Sequence, residues 1–487
     1  MDRLTARLWV ALAGFLGVLW IGYVGYRLYG PSAGFYAAVV TLSCLLYAAM
    51  AHTLTLDLTV TVFLAAAVGS LVIAQTHRGD TRHVAAWMLV GWAALAGATL
   101  TKGLIGLVLP AGTVVVYTLW QRDWVLWKHL HIGKGLLVIG VLAVPWFVVV
   151  SIRNPEFPRF FFIHEHIERY TTTAHHRYEP PWHFFPVLLL GMFPWTFLTL
   201  KTLITPDFSW RGGASGKNAS AAMTGGGATK TGPEGFDPER FLWVFAVVVF
   251  VFFSLGQSKM WAYILPMFPI LAVLVGRRLA ANGPSRLDIL SIAAMAVGFF
   301  VAAWQAPHHA RDEIRAVLAM DYRPWIAAAG CSLVVAAAFA LRAVKTPERR
   351  ARPIAVTALL ALLAVQCLSW GYQSQSPLRS SRLTADAIEP FLTPDMQIFS
   401  IRHYPQSLPF YIRRIITLVD VEDELKMGIQ QEPERWVATL EDFEQRWRAA
   451  DVAIALMGWG EYEKFEKQGL PMRVIFTGPE RLAVLKP

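Results

Sequence analysis

One connection in this chain holds most of the groups able to handle protons or anions. Between two strongly apolar segments, 134–152 and 183–203, residues 154–182 read NPEFPRFFFIHEHIERYTTTAHHRYEPPW. The stretch gathers four His (His164, His166, His175, His176), three Arg and four Glu. Imidazoles among carboxylates suit proton transfer near neutral pH, and guanidiniums suit phosphate. A long polar connection in an otherwise oily chain usually carries function; the plain alternative is a solvated connector with an aromatic anchor. Phe157, Phe160, Phe161 and His164 recur at helical spacing. That spacing predicts a short helix lying flat at a bilayer surface, aromatics down.

Three shorter stretches add isolated charges. Asp57 stands in AHTLTLDLTV, where an acid at a membrane boundary is costly unless it has a task; the alternative is an acid placed at the positive end of a helix. Lys102, in LTKGLIGLVLP, has a snorkelling lysine as its plain reading. Gln257-Ser-Lys259-Met-Trp-Ala-Tyr263 puts Lys259 and Tyr263 one helical turn apart. Asp, Lys, His, Arg and Tyr converging at the mouth of a membrane bundle suit a lipid-linked phosphate with acid–base chemistry beside it.

The elements that must position these groups are membrane spans. The 487 residues are 55% hydrophobic and only 16% charged, with mean hydropathy +0.43, which excludes an ordinary soluble protein. Apolar runs of span length predict about twelve crossings: 8–28, 32–50, 54–75, 84–101, 104–121, 134–152, 183–203, 240–257, 260–280, 286–305, 324–342 and 353–371. If each run crosses once, Arg27, Arg78, Arg82, Arg122, Lys128, Lys134, Arg277, Arg278, Arg286 and the basic cluster from Arg342 to Arg352 all fall on one face. That face is cytoplasmic by the positive-inside rule. Asp57, Lys102, Lys259, the His-rich connection, a 306–323 loop and the C-terminus then share the other face. The net charge of +10 reflects basic loops beside anionic headgroups rather than a nucleic-acid partner. Cys44, Cys331 and Cys367 lie in apolar segments and read as core residues. The apolar run from Leu8 to Leu28 is too long for a cleavable signal peptide.

Residues 1–373 therefore read as one transmembrane domain, interrupted at 205–239 by a Gly-rich flexible cytoplasmic linker. Residues 374–487 have the composition of a soluble domain. Met396–Arg402, Ile415–Val419, Val452–Leu456 and Met472–Phe476 read as strands, and 439–449 and 461–468 as helices. Together they predict a small α/β domain on the outer face.

Soluble-enzyme motifs are missing: there is no P-loop, no dinucleotide fingerprint, no H-E-x-x-H and no C-x-x-C. His164-Glu-His166 is a weak metal pair. The segments AHTLTLD, LTKGLIGLVLP, VPWFVVVSIRNPEFPRFFFIHEHIERY, PPWHFFPVLLLGMFPW and SLGQSKMWAYILPMFPILAVLVGRRL, in this order, resemble the bacterial lipid-carrier-dependent glycosyltransferases. These are the relatives of lipid A aminoarabinose transferase and the protein O-mannosyltransferases. The resemblance is strong over about 4–280 and looser in the C-terminal SLPFYI and LEDFEQRW patterns.

The resemblance implies a C-type membrane glycosyltransferase fold that passes a sugar from a polyprenyl-phosphate carrier to a lipid A-type lipid, another glycan or a protein. It implies catalytic roles for Asp57, Glu165 and His176 (or His175, one residue earlier). Lys102, His166, Arg169, Lys259 and Tyr263 match its substrate-binding elements, although Met260-Trp261 replaces the usual residues of the K-x-P-x-Y turn. It leaves room for a divalent metal ion at Asp57 and implies no other cofactor. The expected location is the bacterial inner membrane, with the C-terminus periplasmic. Family members begin with a further span and an outer loop carrying the main catalytic acid, and this chain starts after the matching point. The alternative is therefore a catalytically impaired relative that binds polyprenyl lipid. A secondary transporter would instead predict an internal repeat and broken helices at the midplane; the sequence pattern displays neither.

Overall fold

The computed structural model describes residues 3–171, 179–206, 208, 235–310, 312–421 and 425–487. It divides into two compact units, Met1–Val301 with Ile326–Ser369, and Ala302–Trp325 with Trp370–Pro487.

Among the described residues, seven helices are long and apolar enough to cross a bilayer: Arg7–Tyr29, Asp57–Gln75, Thr81–Lys102, Pro238–Leu255, Arg286–His309, Glu313–Lys345 and Ala351–Arg379. An eighth crossing is bent by 41° between Ile132–Leu142 and Val144–Arg153. The other four expected crossings are short or interrupted. Ile105–Gln121 and Met267–Asn282 have 17 and 16 residues. Pro31–Ser43 breaks at extended Cys44 before Leu45–Met50, and Phe184–Gly191 breaks before Thr196–Ile204. Apolar composition runs through these breaks, so periodicity alone merges the halves. The two breaks satisfy each other: Leu45 N–H donates to the Phe193 carbonyl at 3.0 Å, and Trp195 Nε1 donates to Ser43 Oγ at 2.9 Å. Irregular backbone at membrane depth persists only where protein supplies such partners. The transporter reading had broken helices as its mark; here the breaks pair with each other.

The Met267–Asn282 helix is buried on nearly every side, as an all-round apolar helix must be. Its Gly276 lies so close to the Pro31–Ser43 helix that a Cβ would stand 2.5 Å from Ala37 N. Small residues permit this backbone approach when lipid supplies no hydrophobic drive between helices.

Aromatic and ionic contacts tie the opposite end of the bundle. Arg78 donates to both Asp123 oxygens at 3.0 and 2.5 Å and to Gln75 at 2.8 Å, with its guanidinium 5.3 Å from the Phe236 ring. Arg240 sits between Trp120 and Phe208 at 5.4 and 5.1 Å, and Arg277 pairs with Glu239. Phe208 and Phe236 are both buried and flank the Gly-rich stretch. Asp237 caps the Pro238–Leu255 helix by accepting from Arg240 N at 3.1 Å. Ordered structure thus reaches into both margins of the 205–239 stretch, and 209–234 lie outside the described residues. The expected 306–323 loop is mostly helix, because Glu313–Lys345 runs through Pro324. Pro324 marks no boundary here, and the polar first turns hid the helix from a hydropathy reading.

The second unit carries a six-stranded sheet in the order β3-β2-β1-β4-β6-β5. Its strands are β1 (Gln397–Ile401), β2 (Thr417–Val419), β3 (Trp436–Val437), β4 (Ala453–Met457), β5 (Arg473–Thr477) and β6 (Leu482–Leu485). β1 to β4 are mutually parallel, whereas β6 runs antiparallel to β4 and β5. Leu440–Ala449 and Trp459–Lys467 fill one face with Phe443, Trp447 and Phe465; Ile388 and Leu408 belong to the other. Thr439 caps the first of these helices through Asp442 N at 3.1 Å. All four expected strands and both helices are present; the two-residue β3 and the terminal β6 are additions.

Candidate active site

Asp57 is the first residue of its helix and Lys102 the last of the next. Each charge therefore lies at the end of the helix dipole that favours it. The two helices are antiparallel neighbours, so a separation of 45 residues in sequence closes to an ion pair, Lys102 Nζ to Asp57 Oδ1. Asp57 is 9% exposed, and its partner is what makes a charge tolerable there.

Residues Arg159–Glu168 of the His-rich connection form a π-helix, followed by a turn of α-helix at Arg169–Thr171. The expected short helix is present in this rarer form. Widened winding of this kind is frequent at functional sites. It changes which side chains meet. His166 Nδ1 lies 2.5 Å from the Phe161 carbonyl, five residues back, and the two rings are 4.8 Å apart. Phe157 stacks on Phe161 at 5.1 Å. His166 Nε2 lies 3.1 Å from Leu104 N. An amide can only donate, so Nε2 accepts, and Nδ1 carries the proton given to Phe161 O. The ring is thus a neutral brace between the connection and the Lys102 turn. Gly103 makes room for it, with φ +76° and a Cβ position only 2.2 Å from His166 Nε2. Glycine is required there on both counts.

Tyr263 joins the remaining charges. Lys102 Nζ lies 5.0 Å from its ring centroid, and Arg169 is within electrostatic reach of it while holding Glu165 at 2.6 Å. Burial opposes the Arg169 charge, but Tyr263 and Glu165 outweigh it and hold its pKa above the usual guanidinium value. Asp57, Lys102, Tyr263, Arg169 and Glu165 form one run assembled from four separate stretches of the chain. Arg169 Nε is buried and has no hydrogen-bond partner among the described residues.

Lys259 is buried too, at 6% exposure. It donates to the carbonyls of Glu179 at 2.8 Å and Gly256 at 2.6 Å, and burial lowers its pKa. Tyr170 docks the first half of the connection on the same turn: its hydroxyl donates to Phe252 O at 2.9 Å, and its carbonyl accepts from Gln257 N at 2.9 Å. Neither Tyr170 nor the carbonyl of Glu179 stands out in the sequence. The only hint is that an aromatic and an acid flank the His-rich core.

His175 and His176 lie outside the described residues. His164 is half-exposed and pairs with Glu168 at 2.8 Å. No group of three or more His, Cys, Asp or Glu gathers among the described residues in a way that fits a metal ion. Asp57 faces a cation instead, so the described donor set does not suit a metal at that position.

A family profile described as "Dolichyl-phosphate-mannose-protein mannosyltransferase" matches residues 2–148, and one described as "Aminoarabinose transferase C-terminal domain" matches 384–486. The undecaprenyl phosphate-alpha-4-amino-4-deoxy-L-arabinose arabinosyl transferase of Erwinia tasmaniensis is 30% identical over 342 residues, covering 66% of this chain and 57% of that one. The enzyme of the same name from Shewanella sediminis is 25% identical over 391 residues, covering 78% and 62%. This chain thus spans less than two thirds of those relatives' lengths. The crystal structure of ArnT from Cupriavidus metallidurans bound to undecaprenyl phosphate superposes with a TM-score of 0.86 at 29% identity, covering all of this chain and 85% of that one. Its apo form gives 0.84. Two profiles at opposite ends of the chain, with one fold between them, point the same way: the chain is similar in sequence and fold to the polytopic membrane glycosyltransferases that include the aminoarabinose transferases and the dolichyl-phosphate-mannose-protein mannosyltransferases.

Proposed function

We propose that this protein transfers a sugar from a polyprenyl-phosphate donor to an acceptor at the periplasmic face of the bacterial inner membrane. The observation that carries the reading is the Asp57–Lys102–Tyr263–Arg169–Glu165 run at one end of the bundle. A carrier phosphate is anionic and must be held where water meets lipid. Lys102 and Arg169 supply charge-assisted donors, and the unpartnered Arg169 Nε suits a phosphate oxygen. The acceptor hydroxyl attacks the anomeric carbon as the bond to the phosphate oxygen breaks. Polyprenyl phosphate leaves with its charge held by these cations, and a carboxylate, Asp57 or Glu165, takes the hydroxyl proton. A phosphate leaving group needs little protonation, so cations outweigh acids on that side. Lys259 and His166 keep the connection in place around the reacting groups. The aminoarabinose-type C-terminal profile favours a lipid A-type acceptor over a protein.

The test reconstitutes the chain with a labelled polyprenyl-phosphate sugar and a panel of lipid and protein acceptors. Lys102→Ala and Arg169→Ala should weaken donor binding, and Asp57→Asn should slow transfer by about 10²-fold with donor binding retained. Transfer at the parent rate by all three variants would move the site elsewhere. A parent that binds donor without transferring it favours the lipid-binding alternative, and one that does neither removes the carrier reading.

A further inference from the structure

The ends of three helices opposite the Asp57–Lys102 pair build a second, separate cluster. Arg27 closes the first helix, His77 follows the helix that Asp57 begins, and His83 starts the helix that Lys102 ends. The Arg27 guanidinium lies 5.7 Å from the Tyr23 ring and 5.9 Å from the Trp87 ring, and donates to Tyr23 Oη at 2.7 Å. Tyr23 and Trp87 stack at 5.9 Å. His83 packs on the same indole at 6.2 Å, and the His77 and His83 rings are 4.6 Å apart. Arg27 and His83 are within electrostatic reach of each other.

Among the described residues, the acid that acts on His83 is Asp80. Asp80 is the one acid in this turn, and its Oδ1 is committed to the backbone amides of Arg82 and His83 at 3.1 and 3.0 Å. No carboxylate among the described residues forms an ion pair with Arg27, His77 or His83. His83 Nε2 is buried without a hydrogen-bond partner. His77 Nδ1 donates to Ile73 O at 3.2 Å, so Nε2 is the ring atom that could carry a proton toward an anion. The Arg27 charge disfavours protonation of His83, and an anion joining them favours it.

We propose that this cluster is a binding site for the phosphate headgroup of an anionic membrane lipid. Charge complementarity selects a phosphate. Position selects a lipid over a soluble anion, because Tyr23 and Trp87 form an interfacial aromatic pair. Toward the bundle middle, the helices that carry them present exposed Leu19 and Val90, along which acyl chains can lie. The site stands apart from the transfer reaction and does not depend on it.

The test is native mass spectrometry of the delipidated full chain, titrated with phosphatidylglycerol or phosphatidylcholine. The parent should retain one phosphatidylglycerol preferentially. Arg27→Gln and His83→Ala should each weaken that retention by about fivefold, the worth of one charge near a membrane surface, and leave phosphatidylcholine unchanged. In the unmodified chain, a photoactivatable phosphatidylglycerol should label the Tyr23 and Trp87 segments, so a poorly folding variant leaves the proposal testable. Equal retention by parent and variants, labelling confined to other segments, or displacement of the lipid by millimolar inorganic phosphate would each overturn it.

Discussion

At the scale of single residues, the Asp57–Lys102 pair sits where a charge needs its partner. Their side chains are 12% and 28% exposed, so the pair is screened less than a surface pair but is not dry. Lys102→Met should therefore destabilise the protein by on the order of 2 kcal/mol, below the cost of breaking a fully buried pair. Adding Asp57→Asn to that variant should recover part of the loss. Thermal unfolding in detergent measures both, and strictly additive effects would mean the carboxylate does not need the lysine. In the second unit, His403 is half-buried beside Arg481, and burial first, then that charge, lowers its pKa below 6.5. A group that binds its proton less readily when folded makes stability fall as pH drops through the interval from the unfolded value of 6.5 to the lowered folded one. The C-terminal unit should melt at lower temperature as the pH is taken below 6.5, and His403→Gln should flatten that dependence in a pH series of melts.

At the scale of elements, the informative device is the brace between the π-helix and the Lys102 turn. A Gly103→Ala change meets both a φ of +76° and the His166 ring. It should cost on the order of 2 kcal/mol and disturb donor binding. Removing the ring as well, in Gly103→Ala/His166→Ala, should relieve the steric share and leave the backbone share. If the double variant is no better than the single one in thermal unfolding, the ring is not what glycine accommodates. The same contact marks the limit of what sequence discloses. The LTKG and EHIER stretches stand out as residue types, but that His166 accepts from Leu104 N is a meeting across 62 positions, fixed by how the helices pack. Tyr263 likewise reads as one aromatic in a turn, and its place between Lys102 and Arg169 comes only from assembly. Spans were legible wherever a straight helix fills an apolar run. They were not legible at Cys44 or between Gly191 and Thr196, where apolar composition continues through the break. The Gly-rich connection shows both sides: its composition is plain, but its anchors are single aromatics. Deleting 214–232 should leave membrane yield nearly unchanged. Phe236→Ala, which empties a buried site beneath Arg78, should cost about 3 kcal/mol and lower yield; equal yields for Phe236→Ala and the parent would show that the anchor is dispensable.

At the scale of the whole molecule, sidedness rests on which helix ends meet. The Asp57–Lys102 pair places the start of one helix beside the end of the next. The Arg78–Asp123 pair closes the other end of the same bundle, where Arg277 meets Glu239 and Arg278 donates to Thr205 O at 3.0 Å. Arg350 joins that end through the carbonyls of Ala280 and Ala281. The basic residues from Arg27 to Arg352 therefore share one end by direct contact or by helix parity, and the Asp57–Lys102 pair lies at the other. Short basic loops are retained in the cytoplasm, which predicts that Lys102, Lys259 and the His-rich connection face the outside. The Glu313–Lys345 and Ala351–Arg379 helices add an even number of crossings after Arg286–His309, so the chain beyond Arg379 should emerge on the outer face as well. A reporter that fluoresces only in the cytoplasm, fused after Pro487, should stay dark, and one that needs the periplasm should be active at the same point. The same pair of reporters inserted near Gly225 should give the opposite result. A bright cytoplasmic reporter after Pro487 would reverse the orientation and place the carrier-binding residues on the wrong leaflet for the proposed reaction. Matching signals at Pro487 and Gly225 would mean that one of the short or broken helices does not cross.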